Sequence, residues 1–310
     1  MAIIPFHIVD AFADQAFAGI PAAIIPNASN LDPERMFRIA EELAMEAGFV
    51  LPPTRPGADV RLRFQTPNGE VRFSGHVAVA AFASMCDRGF YRPTPGGVAV
   101  TLETAAGLLP VLLRCGDEGA ARITVGLPAP RFGEPVPASE VAAALEVPPE
   151  FLWAGSREPQ RVGCGFDQIV VPVADRGIFR GVDRRAPGIA RLLDRRGAGG
   201  LTLVCTATRD AEVDLECRCF HTHPGHAEDI GSGTGAGAAA AYMVAAAGTD
   251  AGRTTLVCGQ GRAVGRPNRV EVTVTAGPSG PEAVEITASG AVVMRGSFQV
   301  RPAVLAASGR

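Results

Sequence analysis

Along this chain, short runs of alternating apolar and polar residues are interrupted by stretches in which apolar positions recur every three or four residues. "IIPFHIVDAFA" interleaves β-branched and aromatic residues and predicts a strand. In "DPERMFRIAEELAMEAG" Met36, Ile39, Ala40 and Leu43 fall at helical spacing, with Asp32 placed to cap the helix and Pro33 to begin it. "FVLPP" returns to extended chain. "ADVRLRFQTPNGEVRF" alternates, turns at Pro67-Asn68-Gly69 and is expected to pair back on itself. "GHVAVAAFASMCDRGF" predicts a second helix ending near Gly89, and strands follow around "GVAVTLETAAGLLPVLLRC" and "ARITVGLP".

Beyond the Pro-rich "LPAPRFGEPVP" the pattern predicts a short helix at "SEVAAALEV", a strand at "QIVVPVAD" and a helix near "PGIARLLDRR". Strands at "LTLVCTA" and "AEVDLECRCF" lead to "EDIGSGTGAGAAAAYM", which predicts the long helix of this half. "TTLVCGQG", "RVEVTVTAG" and "EAVEITASGAVVMRGSFQV" read as closing strands.

The pattern repeats. "RFQTPNGEVRFSGHVAVAAFA" parallels "CFHTHPGHAEDIGSGTGAGAAAA", matching Phe64 with Phe220, Thr66 with Thr222, Gly69 with Gly225 and Ser74-Gly75 with Ser232-Gly233. Each copy reads strand, polar turn, Gly-containing loop, then a helix of small apolar residues. Such a helix suits burial inside a sheet that wraps around it. Two copies facing one another would aim two helix N-termini into one cleft.

Helix N-termini present unpaired N–H groups and partial positive charge, and they bind anions. The helices starting at Gly75-His76 and Gly233-Thr234 are therefore expected to clamp a carboxylated small molecule. Taken singly, each is equally an ordinary helix capped by Ser74 or Ser232. Asp229 stands just before the second loop. Glu46 is expected at the C-terminal end of the first helix, where a negative charge meets the unfavourable end of the dipole, a cost that hints at function. As a pattern alone it is also compatible with a solvated surface residue.

Composition narrows the chemistry. The 310 residues suggest two domains, and a formal net charge of −3 argues against a nucleic-acid partner. Every basic residue is arginine. Without lysine, a pyridoxal-phosphate Schiff base and a P-loop are both excluded. Seven cysteines without CxxC pairing argue against a disulfide framework or structural zinc. Cys217 and Cys219 are expected to be buried, in a reducing compartment. The N-terminus lacks the basic region of a signal peptide, and no run of about 18 apolar residues predicts a membrane span. A cytoplasmic protein without a membrane partner is expected.

"HIVDAFADQAFAGIPAAII", "IAEELAMEAGFV", "RFQTPNGEVRFSGH" and "RCFHTHPGHAEDIGSGTGAGAAAAYM" occur in the order and spacing of the PhzF-like phenazine-biosynthesis isomerases, relatives of diaminopimelate epimerase. The sequence resembles that family over nearly its whole length. The resemblance implies an α+β fold of two pseudo-symmetric halves, each a mixed sheet rolled around a central helix, with the active site between them. It places residues 1–118, plus a C-terminal strand at about 293–302, in one half and 119–292 in the other. It implies a homodimer working without metal or organic cofactor. By the same resemblance Glu46 matches the acid/base glutamate, His76 the histidine of a Gly-His motif and Asp229 the aspartate of a Glu-Asp motif. Gly75, Gly233 and Thr234 match loop positions that cradle the substrate. Ser74 and Ser232 stand where epimerases of this fold carry acid/base cysteines. A hydroxyl is far too weak an acid to replace a thiolate as base, which disfavours a two-cysteine racemase.

The mechanism so implied is a suprafacial proton shift: Glu46, partly withdrawn from water, takes a proton from one carbon of a cyclic amino or hydroxy acid and returns it at another. The chain departs from the family at Ile20, where Asn is common, at Met45 and Ala47 beside Glu46, where Ser and Thr are common, and in Ser-Gly-Thr-Gly for Thr-Gly-Ser-Ala. These changes turn the expectation from a dihydro-hydroxyanthranilate toward a more apolar carboxylated ring, such as an alkyl-bearing pyrroline acid of an antibiotic pathway. Rival readings are an amino-acid epimerase on the same fold, a non-catalytic binding protein, and a metal hydrolase using His221, His223 and His226. "GTGAGA" also fits the GxGxxA dinucleotide fingerprint, but an acidic, turn-like segment precedes it where an apolar strand is required.

Overall fold

The computed structural model describes residues 2–116, 120–152, 158–183, 187–221, 228–248 and 251–300. The first half of the chain runs β1 (Ala2–Ala11), β2 (Ile20–Ile25), α1 (Pro33–Leu43), β3 (Ala47–Leu51), β4 (Val60–Thr66), β5 (Gly69–Val71), α2 (Gly75–Asp87), β6 (Val98–Thr104), β7 (Gly107–Cys115) and β8 (Ala121–Gly126). The second half runs β9 (Arg131–Pro135), α3 (Ala138–Leu145), β10 (Gln160–Gly163), β11 (Asp167–Pro172), α4 (Arg176–Gly181), α5 (Pro187–Arg196), β12 (Gly200–Cys205) and β13 (Leu215–His221). It continues with α6 (Gly233–Ala247), β14 (Gly252–Gln260), β15 (Asn268–Gly277), β16 (Gly280–Ala288) and β17 (Gly290–Val300).

The strand pairing repeats. β1–β2 is antiparallel, β2–β3 parallel, β3–β4 antiparallel and β4–β6 parallel, with β6–β7 and β7–β8 antiparallel. In the second half β10–β11 is antiparallel, β11–β12 parallel, β12–β13 antiparallel and β13–β14 parallel, with β14–β15 and β15–β16 antiparallel. α2 enters between the parallel partners β4 and β6, and α6 between β13 and β14, the crossover a parallel pair requires. β17 returns to β1, and β8 pairs with β16, joining the two copies. The result is a mixed α+β fold of two related halves. The expected division between 118 and 119 falls among residues outside those described; β7 and β8 on either side pair with each other. Thr222 and Gly225 of the sequence repeat also lie outside them.

Each half rolls around its own helix. α2 packs on β1, β2, β3, β8 and β17, while α6 packs on β10 to β16. Val77, Val79, Phe82 and Met85 of α2 are buried on all sides, and α6 is buried from Gly233 through Tyr242. A helix apolar all round has nowhere else to go. Each large side chain so buried contributes about 1.5–3 kcal/mol.

α1 is amphipathic, burying Met36, Ile39 and Ala40 against Phe49, Ile25 and Ile8. Asp32 caps it by accepting from the Arg35 amide at 2.8 Å, with Pro33 in the first turn. The helix ends earlier than its pattern predicts. Ala44 adopts φ 50°, the left-handed conformation that closes a helix, and returns its N–H to the Glu41 carbonyl. No described helix is long and apolar enough to cross a membrane.

Candidate active site

That early ending fixes Glu46. It sits in the link between Ala44 and β3, so the expectation that it opposes the α1 dipole is corrected. Its carbonyl accepts from the Ala23 amide at 2.9 Å, which ties the link to β2. Its side chain turns toward the start of α2. Ser74 Oγ donates to Glu46 Oε2 at 2.8 Å and lies 3.3 Å from His76 Nδ1, while His76 Nε2 lies 3.8 Å from the same carboxylate oxygen. With the serine proton committed to the carboxylate, Ser74 accepts from His76 Nδ1–H. The Glu46 side chain is 36% exposed and that of His76 11%. One carboxylate edge is thus held and the other is open.

Ser74 is in N-cap position but makes no side-chain cap bond. The reading of Ser74 as a helix cap is corrected, because its hydroxyl proton and lone pairs serve Glu46 and His76. The amides of Gly75, His76 and Val77 therefore have no acceptor among the described residues. Ser232 does cap, accepting from the Gly235 amide at 3.0 Å, and its hydroxyl lies 3.3 Å from Thr234 Oγ1. On α6 the Gly233 and Thr234 amides stay without an acceptor among the described residues.

The two tips meet. A Cβ built on Gly75 would lie 3.5 Å from Gly233 Cα, and one on Gly233 would lie 3.6 Å from Gly75 Cα, 2.9 Å from Ile286 Cδ1 and 3.1 Å from Phe12 Cζ. Glycine at both positions lets the two backbones approach this closely. Their combined partial charge makes one place favourable to an anion.

Asp229 reaches the same region from β13. The chain returns alongside the strand: Phe220 and Glu228 form an antiparallel bridge, and the Asp229 amide donates to the Cys219 carbonyl at 2.9 Å. Arg218 locks this return, donating to both oxygens of Glu228 at 2.8 and 2.7 Å and to the Phe179, Arg180 and Val182 carbonyls. The pair is buried, and those carbonyls satisfy the guanidinium that burial strips of water. Asp229 Oδ2 then meets His221 Nε2, while His221 Nδ1 lies 3.4 Å from the Gly199 carbonyl. Burial pushes the His221 imidazole toward its neutral form, but the Asp229 charge and hydrogen bond, the Gly199 carbonyl and the Glu46 charge outweigh it and raise its pKa.

Two residues beneath the α6 tip, Gln260 and Asn268, escaped the sequence reading, and a third, Cys219, does more than was expected of it. Gln260 accepts from the Ser232 amide at 3.2 Å and donates to the Asp229 carbonyl at 3.3 Å, pinning the loop at both ends. Asn268 donates to the Ile230 carbonyl at 2.7 Å. Cys219, expected as a buried apolar filler, is buried but donates to Gln260 Oε1 at 3.6 Å and lies 3.2 Å from the Thr202 hydroxyl. The only sequence signal for Gln260 and Asn268 is a polar residue at a strand end, which is common. Ile20 is buried against this loop: a Cβ on Gly231 would fall 2.6 Å from Ile20 Cδ1.

Of the three histidines of the metal-hydrolase alternative, His223 and His226 lie outside the described residues, and both ring nitrogens of His221 are engaged, by the Gly199 carbonyl and by Asp229. A cavity of about 600 Å³ lies to one side, behind Phe12 and Asn268. Four of the five arginines lining it are paired: Arg262 and Arg269 with Asp210, Arg176 with Glu216 and Arg122 with Glu271.

The fold is that of a solved Bacillus anthracis phenazine biosynthesis protein of the PhzF family, with a TM-score of 0.85 and 26% identity over 97% of this chain and 100% of that one. An uncharacterized isomerase of Deinococcus radiodurans is 30% identical, spanning 93% of this chain and 92% of its own. The trans-2,3-dihydro-3-hydroxyanthranilate isomerase of Pseudomonas aeruginosa is 28% identical over 94% of this chain and 98% of its own. Fold and relatives together define an isomerase. The profile of the phenazine biosynthesis-like proteins (PhzC-PhzF) matches residues 9–296, and the chain belongs to that family.

Proposed function

We propose that this isomerase moves a proton, and with it a double bond, on a small cyclic carboxylated metabolite of secondary metabolism, without metal or organic cofactor. The observation that carries this reading is the contact between Gly75 and Gly233, which brings the free amides of two helix tips together beside Glu46 and Asp229. The tips take the substrate carboxylate. Glu46, held on one edge by Ser74, removes the proton with its open edge and returns it at a second carbon. His76 and Asp229 hydrogen-bond substrate heteroatoms, and the helix amides stabilise charge as the carbanion or enolate forms. A positioned acid–base group of this kind is worth about 10²–10⁴-fold.

The apolar Ile20 packed on Gly231 favours a ring with an apolar substituent at that wall, as in an alkyl-pyrroline carboxylate. The proposed working unit is a cytoplasmic homodimer, which light scattering of the purified chain checks for oligomeric state. Incubation in D₂O with trans-2,3-dihydro-3-hydroxyanthranilate and with alkyl-pyrroline carboxylates tests the reaction. Deuterium at a carbon to which the double bond has moved supports the proton shift. Deuterium at one inverted stereocentre, with the double bonds unmoved, makes the chain an epimerase. Exchange in neither class overturns the reading.

A further inference from the structure

His221 ends β13 with both ring nitrogens engaged. Nδ1 faces the Gly199 carbonyl at 3.4 Å, and a carbonyl only accepts, so this nitrogen carries a proton. Nε2 faces Oδ2 of Asp229, and an ionised carboxylate only accepts as well, so this nitrogen carries the second. Solvent reaches the other edge of Asp229, whose side chain is 33% exposed, and this favours the charged pair over the neutral one. The ring has little room to turn away. Phe166 stands edge-on at 5.5 Å, and a Cβ on Gly200 would lie 2.9 Å from Nδ1. The ionisable groups acting on the ring are Asp229, on the return before α6, and Glu46, on the link before β3. Cys219, on the same strand, has its thiol pKa pushed well up by burial and stays uncharged.

We propose that His221 is a positioning residue held as an imidazolium, which orients Asp229 and cancels its charge so that the two acids of the cleft do not jointly repel an anionic guest. Asp229 Oδ1 has no hydrogen-bond partner among the described residues, and it is left as an acceptor for an N–H or O–H on that guest. The fitting guest is a monoanionic carboxylate with a donor group on its ring. The identity of the guest rests on the functional reading above; the charge state of His221 does not.

The test therefore needs no substrate. The intact protein labelled with ¹⁵N in its histidines is titrated by NMR, alongside Asp229→Asn and Glu46→Gln. The proposal expects both His221 nitrogens protonated at pH 7 in the wild type. It expects the titration midpoint to fall by about one pH unit or more in Asp229→Asn and by less in Glu46→Gln. A wild-type His221 with one bare nitrogen at pH 7 overturns the proposal, as does a midpoint that Asp229→Asn leaves in place. Should Asp229→Asn fail to fold, the wild-type spectrum still decides.

Discussion

The hydroxyl of Ser74 donates to Oε2 of Glu46 at 2.8 Å, and that bond takes the place of a cap on α2. Its counterpart Ser232 caps α6 instead. Two serines at matching points of a repeat therefore do different work. Replacing each by alanine should separate the roles. Ser232→Ala loses a cap and should lower stability by about 1 kcal/mol in urea denaturation. Ser74→Ala removes a hydrogen bond to a charged group, worth about 1.5–3 kcal/mol, and should slow turnover tenfold or more as Glu46 loses its fixed edge. Equal effects of the two variants on both measurements would contradict this division.

The contact of the helix tips predicts a steric result. Gly233→Ala puts a methyl 2.9 Å from Ile286 Cδ1 and 3.1 Å from Phe12 Cζ. Overpacking of this kind costs about 1–3 kcal/mol. Gly75→Ala meets Ile286 Cδ1 at 3.1 Å and should cost less. Thermal unfolding of the two variants measures the difference, and calorimetry with a small carboxylate shows whether parted tips still hold an anion.

Arg218 and Glu228 are predicted to be strongly coupled. Arg218→Met leaves a carboxylate buried without its partner and should cost about 3–5 kcal/mol. Adding Glu228→Met removes the stranded charge, so the double variant should be more stable than the sum of the single losses implies. A double-mutant cycle in urea measures the coupling, and additive effects would refute it.

Stability should depend on pH through His221. Its pKa is raised in the folded protein, so the folded form binds the proton more tightly than the unfolded chain. The stabilisation is complete below the ordinary histidine value of 6.5 and is lost as pH rises through the higher folded value. As pH rises from the ordinary histidine value through the higher folded one, the wild type should lose more stability than Asp229→Asn, in which the imidazolium has no carboxylate partner. Parallel denaturation midpoints across that range would count against the pair.

Much of the fold was legible because burial imposes a period. α2 and α6 are small, apolar and without a polar face, which marks helices enclosed by sheet. The repeated Ser-Gly pairs pointed to tips that face each other, and Gly75 and Gly233 do meet. What stayed hidden depends on single backbone angles and on distant partners. Nothing in "EELAMEAG" requires Ala44 to turn left-handed, yet that turn carries Glu46 off the helix. Ser74 reads as a cap until Glu46, 28 residues earlier, is seen to claim its hydroxyl. Gln260 and Asn268 become significant only when β14 and β15 fold beneath the α6 tip. His221 drew notice as one of three histidines, whereas its partners are a carboxylate and a carbonyl.

The most direct test of the account is the rate of solvent-deuterium incorporation into the carboxylate that the wild type isomerises, compared between wild type and Glu46→Gln. If the open edge of Glu46 carries the proton, the amide should slow exchange by about 10² or more while the unfolding midpoint stays near that of the wild type. Exchange at wild-type speed in a folded Glu46→Gln protein would show that another group moves the proton, and the role given to the residue at position 46 would fail.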